Sequence, residues 1–155
     1  MVKKTYQVEL SAANTARAYS ANSNISTKYA TEICREIKGK PVEKAIAFLE
    51  RIEKQEQFLP LKQFNRKVAH RKGESKSGVK SGRYPKKACR AFVKLLESVK
   101  ANADFKGMDA DNLIIVHAFA SMGFRRYSFQ SKGRIGGKRR RRKSTHIEII
   151  VREGK

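Results

Sequence analysis

From Leu113 to Val151 the chain reads LIIVHAFASMGFRRYSFQSKGRIGGKRRRRKSTHIEIIV, and its two ends and its middle follow different rules. Near the end, Ile147, Ile149 and Val151 alternate with His146, Glu148 and Arg152, the period of two expected of a strand with one buried face. At the start, Leu113–Val116 is a continuous apolar run followed by Ala118, Phe119, Ala120 and Met122, which suits a more central strand covered on both faces. Between them stand Arg125, Arg126, Lys132, Arg134, Lys138, Arg139, Arg140, Arg141, Arg142 and Lys143, with no acid to offset them. No apolar core holds such a segment, and only a polyanion neutralises it. The stretch therefore predicts a long hairpin whose arms belong to the body and whose tip, 121–145, does not. About twelve residues a side at about 3.3 Å each reach about 35–40 Å, against a radius of gyration of about 15 Å for a chain of this size.

Composition supports one domain, 1–155, with a single core and little hydrophobic content to spare: 39% of 155 residues. The net charge is +22, from 36 Lys and Arg against 14 Asp and Glu, an excess that points to nucleic acid or an anionic membrane as partner. Membrane binding is the weaker reading, because the cations lie in hairpin and loop rather than along one face of an amphipathic helix. No apolar run approaches the roughly 20 residues of a bilayer span, and MVKKTYQVEL contains no signal-peptide core, so the expected location is the cytosol. Cys34 and Cys89 lack metal-ligand spacing and read as small core residues in a reducing compartment; no metal and no cofactor is expected.

Residues 1–15 show only a brief Tyr6, Val8, Leu10 alternation, which fits an ordered arm or a loose end, and RAYSANSNI at 17–25 suits a short strand. Ser26 or Thr27 can cap a first helix that buries Tyr29 or Ala30, Ile33, Cys34 and Ile37 and ends at Gly39. Pro41 opens a second, with Val42, Ala45, Ile46, Leu49 and Ile52 as its apolar stripe and Glu43, Glu53 and Glu56 away from it; Glu50 and Lys54 form a favourable pair four apart. From Phe58 to Pro85 neither period holds. One acid, Glu74, stands among many bases, and this basic insertion loop, 58–85, reads as a second RNA-binding surface that orders on its partner. Its candidate contacts are Arg66, Lys67, Arg71, Lys72, Arg83 and Tyr84, joined by Lys86 and Lys87 just beyond it; His70 reads as a polar, RNA-facing residue. A third helix follows Pro85, with Ala88, Phe92, Leu95 or Leu96, Val99 and Ala103 at core spacing. Asp109 and Asp111 in GMDADN suit a turn better than a cation site, His117 packs within a strand, and neither a phosphate-binding glycine loop nor an H-E-x-x-H pair is present. The fold class this describes is α+β: three helices packed on a small antiparallel sheet with a long protruding β-hairpin.

An ordered set of local motifs then carries a resemblance: IKGKPVEKAIAFL at 37–49, KANADFKGMDADNLIIVHAFASMG at 100–123, KGR at 132–134 and STHIEIIV at 144–151. Each is weak alone and specific in this order. Together, over about residues 15–153, they resemble the universal large-subunit ribosomal protein family numbered twenty-two in the bacterial scheme and seventeen in the eukaryotic one. The resemblance implies a body near the exit of the nascent-chain tunnel and a hairpin reaching inward. Ser131, Lys132, Gly133, Arg134 and Ile135 would then line the tunnel beside the emerging polypeptide, and the run Arg139–Lys143 would lie against RNA. Arg125, Arg126, Tyr127, Lys138 and His146 complete the expected ribosomal RNA contacts. The implied role is a structural constituent of the large subunit that binds its RNA and supports assembly. Its partners would be that RNA, neighbouring ribosomal proteins and the nascent chain, with no membrane and no homo-oligomer. Two departures stand out: the 58–85 insertion is absent from the short bacterial form and looks like the archaeal and eukaryotic type, and the Arg139–Lys143 run is more basic than the family pattern.

The expected mechanism is electrostatic. Lys and Arg displace condensed counterions from phosphates, so affinity falls steeply with salt. Gly123, Gly133, Gly136 and Gly137 allow close approach to RNA or positive φ, while Phe124, Tyr127 and Phe129 either stack on bases and Arg planes or pack one arm on the other. A free-standing nucleic-acid binder would satisfy the composition equally and is separated by its failure to co-migrate with large subunits. A nuclease would need converging carboxylates, a metal site or a nucleophile, and the chain offers none.

Overall fold

The computed structural model describes residues 6–8, 10, 14–73, 75, 77–131, 133, 134 and 136–154. Strand β1 (Thr15–Ser23) is followed by helices α1 (Thr27–Ile37) and α2 (Val42–Glu53), the short strands β2 (Leu59–Pro60) and β3 (Gly82–Arg83), helix α3 (Lys86–Phe105) and the long strands β4 (Leu113–Phe129) and β5 (Arg139–Glu153). The main sheet is antiparallel in the order β1-β5-β4, with β2 and β3 forming a separate two-stranded ribbon. The helices lie against one face of that sheet, α3 on β1 and α1 on β4, with α2 packed on α3. This is the α+β arrangement that the apolar periods predicted.

The helix stripes fall where the spacing put them, except that in α2 Phe48 is buried and Ile46 only partly so. Ala30, Ile33, Cys34 and Ile37 of α1, Val42, Ala45, Leu49 and Ile52 of α2, and Ala88, Phe92, Leu95, Leu96, Val99 and Ala103 of α3 meet Ala16, Leu113, Ile115, Ile147, Ile149 and Val151 of the sheet in one core. Gly39, at φ +79°, ends α1 in the left-handed region where a side chain is strained. Ser26 occupies the cap position of α1 but makes no side-chain cap bond. The start of that helix is tied instead by Thr145, whose hydroxyl donates to the Ile25 carbonyl (3.0 Å) and lies 2.9 Å from the Thr27 hydroxyl. The acids of α2 reach across rather than along the helix, Glu53 to Arg90 and Glu43 to Lys100 of α3. Hydrogen bonding to Glu43 raises the Lys100 pKa.

The two hairpin arms exchange the roles that the sequence suggests. The return arm β5, not the outgoing arm, is central: Thr145, Ile147, Glu148, Ile149, Ile150 and Val151 are all buried. Its outer face is covered, so its alternation of apolar and polar residues does not mark a wet side. Glu148 is buried there because its carboxylate accepts the Gln7 N–H (3.2 and 3.3 Å) and lies 3.0 Å from His117 Nε2. Tyr6 packs edge-on against Tyr19, and the Arg17 guanidinium sits 5.3 Å from the Tyr6 ring. Burial raises the pKa of both phenols, and Glu148 adds to the effect. At least Tyr6 and Gln7 of the opening segment are thus an ordered cover. The outgoing arm β4 is an edge strand, shielded where it enters the body by the α1–α2 turn: Gly39 N–H donates to Ile115 O (2.8 Å) and Ile115 N–H to Lys40 O (3.0 Å).

No element is predicted between Phe58 and Pro85, yet the structure builds one. Phe58, Leu59 and Leu61 are buried, the last two in the main core, and β2 pairs with β3 across the base of the loop. The pairing requires glycine at 82, because a Cβ there would stand 2.1 Å from the Phe58 ring. Buried Glu32 of α1 secures the next residues: its carboxylate accepts the N–H groups of Lys62 (3.2 Å), Gln63 (2.7 Å) and Phe64 (2.6 Å). Three donors on one carboxylate satisfy a turn that would otherwise leave them unbonded beside the core. Glu74 lies outside the described residues.

Candidate nucleic-acid interface

Two register shifts in the β4–β5 ladder divide it, one between Ile115 and His117, the other between Met122 and Arg125. The second is where body becomes finger. Asn22, at the end of β1 and in the left-handed region (φ 51°), inserts there, its N–H donating to His146 Nδ1 (3.2 Å) and its Oδ1 accepting the Phe124 N–H (3.0 Å). Ser144 Oγ donates to the Phe124 carbonyl (2.6 Å) and lies 3.0 Å from Asn22 Oδ1. Position 123 must be glycine for a reason internal to the protein, because a Cβ would come within 2.6 Å of Asn22 Oδ1 and 2.7 Å of Ser144 Oγ. His146 belongs to this joint too: half-buried, it stacks on Tyr19 at 5.7 Å between ring centroids. Its ring is committed to the hairpin base rather than presented on the open finger.

Beyond the joint the ladder runs from Arg125↔Lys143 through Arg126↔Arg142, Tyr127↔Arg141 and Ser128↔Arg140 to Phe129↔Arg139. This register answers how so basic a ribbon can form. Like charges directly opposed destabilise a ladder. Only the first two pairs oppose cation to cation, while Tyr-Ser-Phe at 127–129 faces three arginines. The Arg139 guanidinium lies 3.6 Å from the centre of the Tyr127 ring and that of Arg141 5.8 Å, contacts worth about 0.5–1 kcal/mol at an exposed site. So Tyr127 spaces the charges as well as offering a ring. Alternation also gives the finger two faces. Arg125, Tyr127, Phe129, Arg139, Arg141 and Lys143 continue the side that packs on the helices, and Arg126, Ser128, Arg140 and Arg142 take the other.

Every described residue from Arg125 to Lys143 is exposed except Ser128 and Gln130, which are intermediate. Phe124 and Phe129 are 65% and 70% exposed, so neither ring is used up in packing arm on arm. The ladder stops at Phe129↔Arg139, and the turn beyond closes with Gln130 N–H donating to Lys138 O (3.2 Å) and Gly137 N–H to Gln130 O (2.8 Å). Ser131, Gly133 and Arg134 lie in that exposed turn; Lys132 and Ile135 lie outside the described residues.

The loop presents its cations differently. Arg66, Lys67, Lys72 and His70 are exposed, as are Lys86 and Lys87 at the start of α3. Arg71 is partly committed to the loop's own fold, its Nε donating to Gly82 O (3.3 Å) and its guanidinium lying 5.6 Å from the Tyr84 ring; Arg83 also donates to Gly82 O (3.2 Å). The loop and finger cations are therefore two separate clusters, one from 66–84 and one from 125–143, with Lys86 and Lys87 beside the hairpin base. Sequence reasoning missed Asn22 and Glu32, which position these clusters. The only local signal for either is an Asn in an otherwise strand-like stretch and an acid on the apolar side of a helix.

Asp109 folds its own turn, Oδ1 accepting the Asp111 N–H (3.0 Å) and Oδ2 the Asn112 amide (2.8 Å). Among the described residues no group of His, Cys, Asp and Glu is placed to hold a metal ion, and no helix is long and apolar enough to cross a membrane. Cys34 and Cys89 are both buried and free.

Comparison with known proteins identifies the family. The model of the family described as "Ribosomal protein L22p/L17e" matches residues 18–152. The protein named large ribosomal subunit protein uL22 of Methanococcus vannielii is 39% identical over 155 residues, covering 99% of either chain. The protein of that name from Ignicoccus hospitalis is 42% identical over 142 residues, 90% of this chain and 88% of its own, and that from Methanoculleus marisnigri is 39% identical over 155 residues. Coverage from β1 to the end of β5 takes in both the joint and the finger, and the chain belongs to the ribosomal protein L22p/L17e family, a structural family of the large ribosomal subunit and not one of enzymes.

Proposed function

We propose that this chain is built into the cytoplasmic large subunit by its RNA, that it supports assembly of that subunit, and that its finger lines the path of the nascent polypeptide. The observation that carries the reading is the finger itself: an exposed ladder that continues the core strands, bears Arg and Lys from 125 to 143 without a single acid, and is open to solvent at nearly every described residue. Such a ribbon keeps its charges apart only partly by register, and phosphates complete the neutralisation while releasing counterions. Arg126, Arg140 and Arg142 on one face, and Arg125, Arg139, Arg141 and Lys143 with two aromatic rings on the other, let the finger contact RNA on both sides. The tip turn containing Ser131, Gly133 and Arg134 is left as the part that meets the emerging chain, with Lys132 and Ile135 expected beside it. The loop cations Arg66, Lys67, Arg71, Lys72 and Arg83, with the Tyr84 ring beside them, supply a second, body-side contact with RNA, and neighbouring ribosomal proteins complete its surroundings.

Sedimentation tests the reading directly. The tagged protein should co-migrate with large subunits after a high-salt wash, and photo-crosslinkers at Arg134 and Lys143 should capture nascent chain and ribosomal RNA respectively. Loss into the soluble fraction, or a tip that crosslinks only to solvent-exposed proteins, would overturn it.

A further inference from the structure

Where the finger leaves the body, an open cleft of about 490 Å³ lies between β5 and the starts of α1 and α3. Lys86 and Lys87 stand on one wall, Arg141 and Lys143 on the other, and Tyr29 and Pro85 contribute an apolar floor. All four cations are exposed, and no carboxylate among the described residues lines the space. The register explains the convergence: Arg141 and Lys143 share the face of β5 that, two residues on, begins to pack on the helices with Thr145 and Ile147, so they point along the body toward α3. Four like charges around a concave surface repel one another and hold an anion atmosphere, which a chain of phosphates displaces with a gain in entropy. A half-exposed tyrosine ring and a proline beneath them match the sugar and base of a nucleotide, surfaces that an acidic peptide segment lacks.

We propose that this cleft clamps one looped or single-stranded segment of ribosomal RNA between body and finger, so that a single strand of RNA sets the direction in which the finger points. The inference rests on the RNA-binding reading above and names the body-side contact that orients the finger. It is tested with the full-length protein and a large-subunit RNA transcript, by measuring affinity across a salt series. The variants are the pair Lys86→Ser and Lys87→Ser, the pair Arg141→Ser and Lys143→Ser, and all four together. Each pair should lower the salt slope by about 0.7–0.9 for each phosphate contact removed. The combined variant should lose less affinity than the two pairs multiplied, because both walls hold the same strand. Tyr29→Leu should weaken binding several-fold at an unchanged slope, and Lys54→Ser, just past the end of α2, should change neither. Unchanged slopes in both pairs, fully multiplicative losses, or an equal loss with Lys54→Ser would overturn the clamp while leaving wild-type RNA binding intact. Wild type that binds the transcript without salt dependence would sink the RNA reading itself. A poly-glutamate peptide that binds wild type but not the fourfold variant, with RNA affinity unaltered, would reassign the cleft to protein.

Discussion

Glu32 and Gly123 show how single residues place the charges without carrying any of the expected binding. The Glu32 carboxylate holds three backbone N–H groups at the entry to the loop, within a side chain almost wholly removed from solvent. Glu32→Ala leaves those donors unsatisfied beside the core, and a loss of about 2–3 kcal/mol of stability is expected. Denaturant titration reads the loss, and hydrogen exchange should show it concentrated at the amides of Lys62, Gln63 and Phe64; uniform protection there would contradict the anchor. Gly123 is constrained by Asn22 and Ser144, whose side chains can move only by giving up bonds to Phe124. Gly123→Ala should therefore cost about 1–2 kcal/mol and loosen the joint, seen as faster exchange at Phe124 with the α3 amides unchanged. If position 123 were small only to let RNA approach, the free protein would not register the substitution.

At the scale of elements, the finger is a continuation of the core strands whose outer part lacks a core. Its ladder beyond the joint is supported by five cross-strand pairs and a Tyr127–Arg139 contact, all exposed but for the intermediate Ser128. Replacing Arg139, Arg140, Arg141 and Arg142 by Ser should leave the thermal unfolding of the body nearly unchanged, since all four are exposed. It should reduce the salt slope of RNA binding by about 0.7–0.9 for each phosphate contact removed. A fall in melting temperature of many degrees would mean that the run supports the fold, and an intact slope would mean that it does not meet phosphate. The basic insertion behaves as a different kind of element. Its base is folded into the main core through Leu59 and Leu61, and its cations are displayed from that base rather than from a continuous strand.

For the whole molecule, the decisive partition is between a tight apolar body and cations placed wholly outside it. Cys34 and Cys89 report the quality of that body, because burial pushes both thiols up to about 12. They should resist a thiol-directed reagent at mildly alkaline pH in the native protein and react only on unfolding; immediate labelling would show the core to be open. The pH dependence has a definite sign. Below the ordinary thiol value of 9.0 both states are protonated and the thiols contribute no pH dependence; between about 9 and 12 the unfolded chain ionises first, so stability falls as pH rises. Cys34→Ala and Cys89→Ala should flatten that part of the profile.

The amino-acid sequence by itself determined the helices, the hairpin and the exposure of the basic finger. Those follow from local period and from the impossibility of burying ten cations without a counter-charge. The helix boundaries marked by Gly39, Pro41 and Pro85 fall within about two residues of where they were expected, because backbone sterics act locally. Only the tertiary structure decided which arm is central: β1 pairs with β5, and the cover from Tyr6 and Gln7 buries Glu148, whose polarity had marked that face as wet. It alone revealed that Phe58–Leu61 enter the core, that Glu32 receives the loop, and that Asn22 wedges the joint. Each of those depends on partners between about 20 and 120 residues away in the chain, and side-chain period carries no record of a partner at such a distance.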